Sequence, residues 1–190
     1  MRICKAELRS ATPYSQSRAI DPDEHPKLPK EDAAGYDKRL WREKSTVNAD
    51  GTVCIPAMAL KMSIDEAIKR LNIGIPGRGK STYTKFFLAG QICDADVPIG
   101  IKKDDLESIT IWANADGVRG SGKRVKRIFP YIQSWSGTAT FAILDDVIPK
   151  DIFERALVEA GRLVGIGRFR PEKGGMIGRF YVDGFEWAET

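Results

Sequence analysis

Two amphipathic stretches about eighty residues apart constrain this chain more than any other feature. Pro56 opens a run in which Ala57, Leu60, Ile64, Ala67, Ile68 and Leu71 recur at helical spacing. Ile152, Phe153, Ala156, Leu157, Ala160, Leu163 and Val164 repeat the pattern nearer the C-terminus, with Asp151 and Glu154 near the start and Arg162 near the end, as the helix dipole favours. Each stripe must bury one face of its helix, and the surrounding residues supply strands to bury it against. Residues 2–9 alternate, Cys4, Ala6 and Leu8 on one face and Lys5, Glu7 and Arg9 on the other. Residues 107–113 and 138–144 are rich in β-branched and aromatic residues, and residues 176–187 form a last strand or a hairpin turned at Asp183-Gly184.

The expected order is strand, helix, strand, strand, helix, strand. That is an α+β, ferredoxin-like βαββαβ core, the topology shared by RNA-recognition folds. Residues 19–38 are polar with three prolines and read as a long loop, and residues 72–106 give mixed signals and read as an irregular insertion. The expectation is one domain over 1–190, with insertions at about 10–50, 72–106 and 114–136. Composition agrees with a globular domain, at 42% apolar and 29% charged. No apolar run approaches the ~20 residues of a membrane span, and Met1-Arg-Ile-Cys-Lys lacks the apolar core of a signal peptide, so a cytoplasmic location is expected. Cys4, Cys54 and Cys93 read as free thiols, and a single histidine, His25, excludes a multi-histidine centre. No metal, cofactor or enzymatic activity is expected.

The net charge is only +4, so basic character must lie in patches. From Gly161 to Val182 six glycines alternate with Arg162, Arg168, Arg170, Lys173 and Arg179 against one acid, Glu172. Glycine lets backbone approach a partner closely, turns of exposed amides bind anions, and interleaved arginines suit a polyphosphate. A second segment, Gly117 to Ile132, carries Arg119, Lys123, Arg124, Lys126 and Arg127, and no acid occurs from Gly117 through Leu144. It falls between the second and third expected strands, as a projecting thumb hairpin. Phe129, Tyr131 and Trp135 follow the cluster; stacking on unpaired bases and packing in the core both remain open.

Gly74-Ile-Pro-Gly-Arg-Gly-Lys-Ser81 satisfies the phosphate-binding pattern G-x-x-x-x-G-K-[ST], and Phe141 to Asp146 resembles an apolar strand ending in magnesium-binding acids at Asp145 and Asp146. A nucleotide hydrolase is therefore the alternative. It requires a buried strand before the loop and a helix after it. Here a helix precedes Gly74, and Thr82-Tyr-Thr-Lys-Phe-Phe is a poor first helical turn.

Three segments together resemble the RAMP superfamily, and within it the backbone subunits of CRISPR effector complexes. Thr12-Pro-Tyr-Ser-Gln-Ser-Arg18 follows the first strand as their guide-contacting loop does. Gly51-Thr-Val-Cys-Ile-Pro-Ala-Met-Ala-Leu-Lys61 is similar to their approach to the first helix. Gly165-Ile-Gly-Arg-Phe-Arg-Pro171 with Gly174-Gly175 is similar to their glycine-rich loop after the second helix. A standalone phage or prophage protein on the same fold would match equally. The resemblance implies single-stranded RNA or DNA coated by a helical homo-oligomer, with other CRISPR effector subunits as partners and antiviral defence as a role. It places Arg18, Lys61, Arg168, Arg170 and Arg179 on the nucleic-acid face and makes 117–132 the thumb. Some relatives cleave RNA, which brings Asp21, Asp23, Asp32 and His25 forward; the early loop matches no cleaving pattern specifically.

Overall fold

The structure, a computed structural model, describes residues 1–114, 122 and 124–189. In chain order the elements are β1 (Arg2–Ser10), α1 (Ala33–Leu40), β2 (Thr52–Ile55), α2 (Ala57–Leu71), α3 (Thr84–Gly90), β3 (Gln91–Cys93), β4 (Val97–Lys102), β5 (Glu107–Asn114), β6 (Arg124–Tyr131), β7 (Ser136–Ile143), α4 (Lys150–Glu159) and β8 (Phe180–Glu189). The main sheet runs β3-β7-β1-β8 with every neighbouring pair antiparallel. With α2 between β1 and β3, and α4 between β7 and β8, this is the expected ferredoxin-like βαββαβ core. Two smaller sheets, β2-β4 and β5-β6, are appended.

Alternation along β1 decides which face is covered. Cys4, Ala6 and Leu8 are buried, as are Ala139, Phe141 and Ile143 of β7. Leu60, Ile64, Ala67 and Ile68 of α2 and Phe153, Ala156 and Leu157 of α4 close over them. Each Leu, Ile or Phe among them contributes about 1.5–3 kcal/mol on burial. Both helices thus sit where their periodicity requires. α2 is capped from afar, the Ala57 amide donating to Asp96 Oδ1 at 2.8 Å, and ends on Asn72 in the left-handed region at φ 47°. The second helix continues past α4 as one π-helical turn over Ala160–Val164.

Four expectations change. The second core strand is β3, not 107–113. The alternation of Ile109 and Ile111 is real, but β5 spends it on β6 over eight paired positions, Glu107↔Tyr131 to Asn114↔Arg124. β3 is three residues long beside the polar Asp94 and Asp96, too short to show a period, and it lies with α3 and β4 inside the stretch read as irregular. The loop expected over 19–38 ends in α1, which has little apolar face of its own and starts because Asp32 Oδ1 accepts from the Gly35 amide at 2.7 Å. Asp183-Gly184 is a bulge and not a turn: β8 continues through it, Glu7 facing Gly184 and Leu8 facing Val182.

Candidate nucleic-acid interface

Loop 12–18, the glycine-rich loop after the second helix and the basic hairpin converge. The Arg168 amide donates to the Ser15 carbonyl at 2.8 Å, the Gly178 amide to the Pro13 carbonyl at 2.7 Å, and the Arg179 amide to Thr12 Oγ1 at 2.9 Å. Loop 12–18 and loop 165–179 are therefore knitted backbone to backbone. Glycine is what permits it. A Cβ on Gly167, at φ 73°, would stand 2.3 Å from the Ser15 carbonyl oxygen, and one on Gly178, at φ 87°, 2.1 Å from that of Ile166. These glycines serve backbone crossing.

Tyr14 extends the junction to the hairpin through a bridge to Ile132, with reciprocal amide–carbonyl bonds of 2.8 and 2.9 Å. Four residues earlier on the same edge of β6, a side-chain pair takes over. The Ile128 amide donates to Asp37 Oδ2 at 2.5 Å and Lys44 Nζ donates to the Ile128 carbonyl at 2.6 Å, while Lys44 and Asp37 meet each other at 2.5 Å. Asp37 and Lys44 thus close the free strand edge as a neighbouring peptide would. Burial pushes the Lys44 ammonium below the ordinary lysine range despite its acid partner.

On this frame sits a cationic cluster. Arg168 lies 3.9 Å from the Phe129 ring centroid and 4.8 Å from that of Phe169, and Lys44 lies 4.3 Å from Phe129. Arg127 approaches Asp37 at 3.8 Å. Asp37 thus lies among Lys44, Arg127 and Arg168. Burial, and then Arg127, push the Arg168 guanidinium below its ordinary value without discharging it. Its NH1 donates to Ser17 Oγ at 3.3 Å, but its buried Nε has no hydrogen-bond partner among the described residues.

The remaining sequence-selected residues divide. Arg18 is exposed and joins the cluster through its amide, which donates to the Lys44 carbonyl at 2.9 Å. Arg124 and Lys126 are exposed on the opposite face of the hairpin. Arg170 is tied to Glu172 at 2.9 Å, and Arg179 donates to the carbonyls of Arg162 and Met176. Lys61 pairs with Asp65 and donates to the Leu88 carbonyl at 2.8 Å. Arg119 and Lys123 lie outside the described residues. Phe129 and Trp135 are buried, Trp135 against Tyr14 and Phe180, so neither is a free stacking platform. Sequence reasoning missed Asp37 and Lys44, which carry no motif, and Trp112, 60% exposed with Lys126 Nζ 5.6 Å from its ring.

The open face of the main sheet is not a second candidate. Lys5, Arg9 and Tyr181 there are outweighed by Glu7, Asp183 and Glu186, and Arg9 is spent on Asp183 at 2.7 Å. Gly74–Ser81 is a turn that follows a helix. Its ends bridge at Gly74 and Thr82, and α3 begins only at Thr84 and runs seven residues. Asp145 Oδ1 accepts from the Val147 amide to start the turn before α4. The phosphate-loop geometry is absent. In the early loop Asp21 accepts from the Asp23 amide, Asp32 caps α1, and His25 Nε2 stands 3.9 Å from Glu43. No group of three His, Cys, Asp or Glu among the described residues is placed to hold a metal ion, and no described helix is long and apolar enough to cross a membrane.

Fold and junction together define a ferredoxin-like α+β domain with a cationic seam beside an appended hairpin. No protein-family model and no curated protein matches the chain. Among solved structures it is similar to a chain in the cryo-EM structure of the Type III-B Cmr-beta bound to cognate target RNA. That likeness has a TM-score of 0.49 at 13% identity, over 99% of this chain and 61% of that one. It is also similar to Cmr6 from Pyrococcus furiosus, with a TM-score of 0.47 at 12% identity over 96% of this chain and 99% of that one. The chain spans about three fifths of the length of the first.

Proposed function

We propose that this protein binds single-stranded nucleic acid along the seam between loop 12–18, loop 165–179 and β6, without catalysing a reaction on it. The observation that carries this reading is Arg168, stacked on Phe129 and Phe169 with Arg127 and Lys44 beside it. Phosphates would neutralise the cluster, and binding would release counterions from the strand. The appended hairpin offers a surface for the next copy. A head-to-tail contact that does not close generates filaments, so the strand would be coated by a helical oligomer, as the motif resemblance implies for RNA or DNA. The test is fluorescence anisotropy with labelled single strands across a salt series. Affinity should fall steeply with salt, and Arg168→Ala should weaken binding to all sequences alike and flatten the salt slope by about one unit. Affinity that ignores both salt and Arg168 overturns the reading.

A further inference from the structure

Beside the seam lies a recess of about 250 Å³, between the end of β4 and the base of the hairpin. Asp105, Glu107, Tyr131 and Gln133 line it, and Ile132, almost fully buried, forms part of its floor. No hydrogen bond or ion pair within the described residues engages those four polar side chains. Glu107 and Tyr131 are brought together as the last cross-strand pair of β5 and β6. The volume falls below that of sites for drug-sized molecules and suits a single ring system. Tyr131 follows Phe129 by two residues on the same face of β6. The recess therefore opens roughly 7 Å along the strand from the ring that supports Lys44 and Arg168.

We infer that this recess receives one unpaired nucleobase of the bound strand and prefers a base with an exocyclic amine. The inference rests on the proposed nucleic-acid reading and adds a point of sequence selectivity to it. Two carboxylates repel phosphate, so the group that enters is the base and not the backbone. Asp105 and Glu107 are acceptors only, matching the amino hydrogens of cytosine, adenine or guanine, whereas the corresponding edge of uracil presents a carbonyl oxygen. Gln133 has both an acceptor and donors for a neighbouring ring position, and the Tyr131 ring supplies the stacking surface.

Cytosine and uracil homopolymers of equal length share a backbone and differ at the exocyclic group, so anisotropy with the full chain isolates the recess. The oligocytidine should bind at least about fivefold more tightly. Asp105→Asn combined with Glu107→Gln should remove that difference; both side chains are exposed, and melting curves matching the wild type would show the fold intact. Arg168→Ala should weaken both oligomers by the same factor and keep their ratio. Equal affinities in the wild type, or a preference that survives the double variant, overturn the recess while leaving the seam standing. Failure of both oligomers to bind overturns both.

Discussion

Gly167 and Arg168 are consecutive, and their contributions differ in kind. Gly167 lets two loops cross: its positive φ and the 2.3 Å that a Cβ would leave to the Ser15 carbonyl make any side chain there a defect of backbone and packing together. Gly167→Ala should therefore cost about 3 kcal/mol, read as a lowered urea midpoint with an unchanged slope. Arg168 is held away from ordinary surface screening by two aromatic rings. Arg168→Lys keeps the charge but loses the planar stacking surface, so it should recover only part of the affinity that Arg168→Ala loses. Full rescue by lysine in the same titration would reduce Arg168 to a point charge.

Among the elements, the hairpin β5-β6 depends on a side-chain ion pair for its outer edge. Removing one partner leaves an unpaired buried charge, and Asp37→Ala should cost about 3 kcal/mol. Asp37→Leu with Lys44→Met should cost less than the two single changes summed, and hydrogen exchange at the Ile128 amide should quicken in every variant. Equal protection at Ile128 would show that the pair does not hold the strand. This element also marks the limit of what residues alone reveal. β1, α2, β7 and the second helix were legible because each buries one face, and burial imposes a period. β3 was not, since three residues carry no period, and β5 was assigned to the wrong sheet because alternation reports a half-buried strand without naming its partner. The arginines of the seam were legible as a basic glycine-rich run. Asp37 and Lys44 were not, because their role is set by the position of the Ile128 backbone, 91 and 84 residues further on.

For the molecule as a whole, alkaline stability follows from the thiols. Burial pushes Cys4 up to about 12 and Cys93 up to about 11, from an ordinary value of 9.0. The unfolded thiols lose protons first, so stability should be full below about pH 9 and fall as pH rises toward 11 and 12. Cys93→Ala should flatten the lower part of that decline in melts taken from pH 8 to 11. At the scale of assembly, replacing residues 115–123 by a two-residue turn shortens the connection between β5 and β6 and leaves the four strands of the main sheet untouched. Electron micrographs of the shortened chain at saturating protein should show isolated particles on long single strands where the intact chain forms filaments. Filaments from both would place the contact elsewhere.

The position of β1 has a consequence for how the chain comes into being. β1 is one of the two inner strands of the main sheet, and both of its neighbours, β7 and β8, belong to the last third of the sequence. During vectorial synthesis β1 leaves the ribosome with nothing to pair with for on the order of ten seconds before β7 follows. Its alternating apolar face is exposed throughout that wait. The native sheet then closes through contacts of very high sequence separation, which makes folding slow and makes every truncated product a chain with an orphaned strand. A nascent polypeptide of this kind relies on β1 being interrupted by Lys5, Glu7 and Arg9, charges that keep a lone strand in solution until its partners exist.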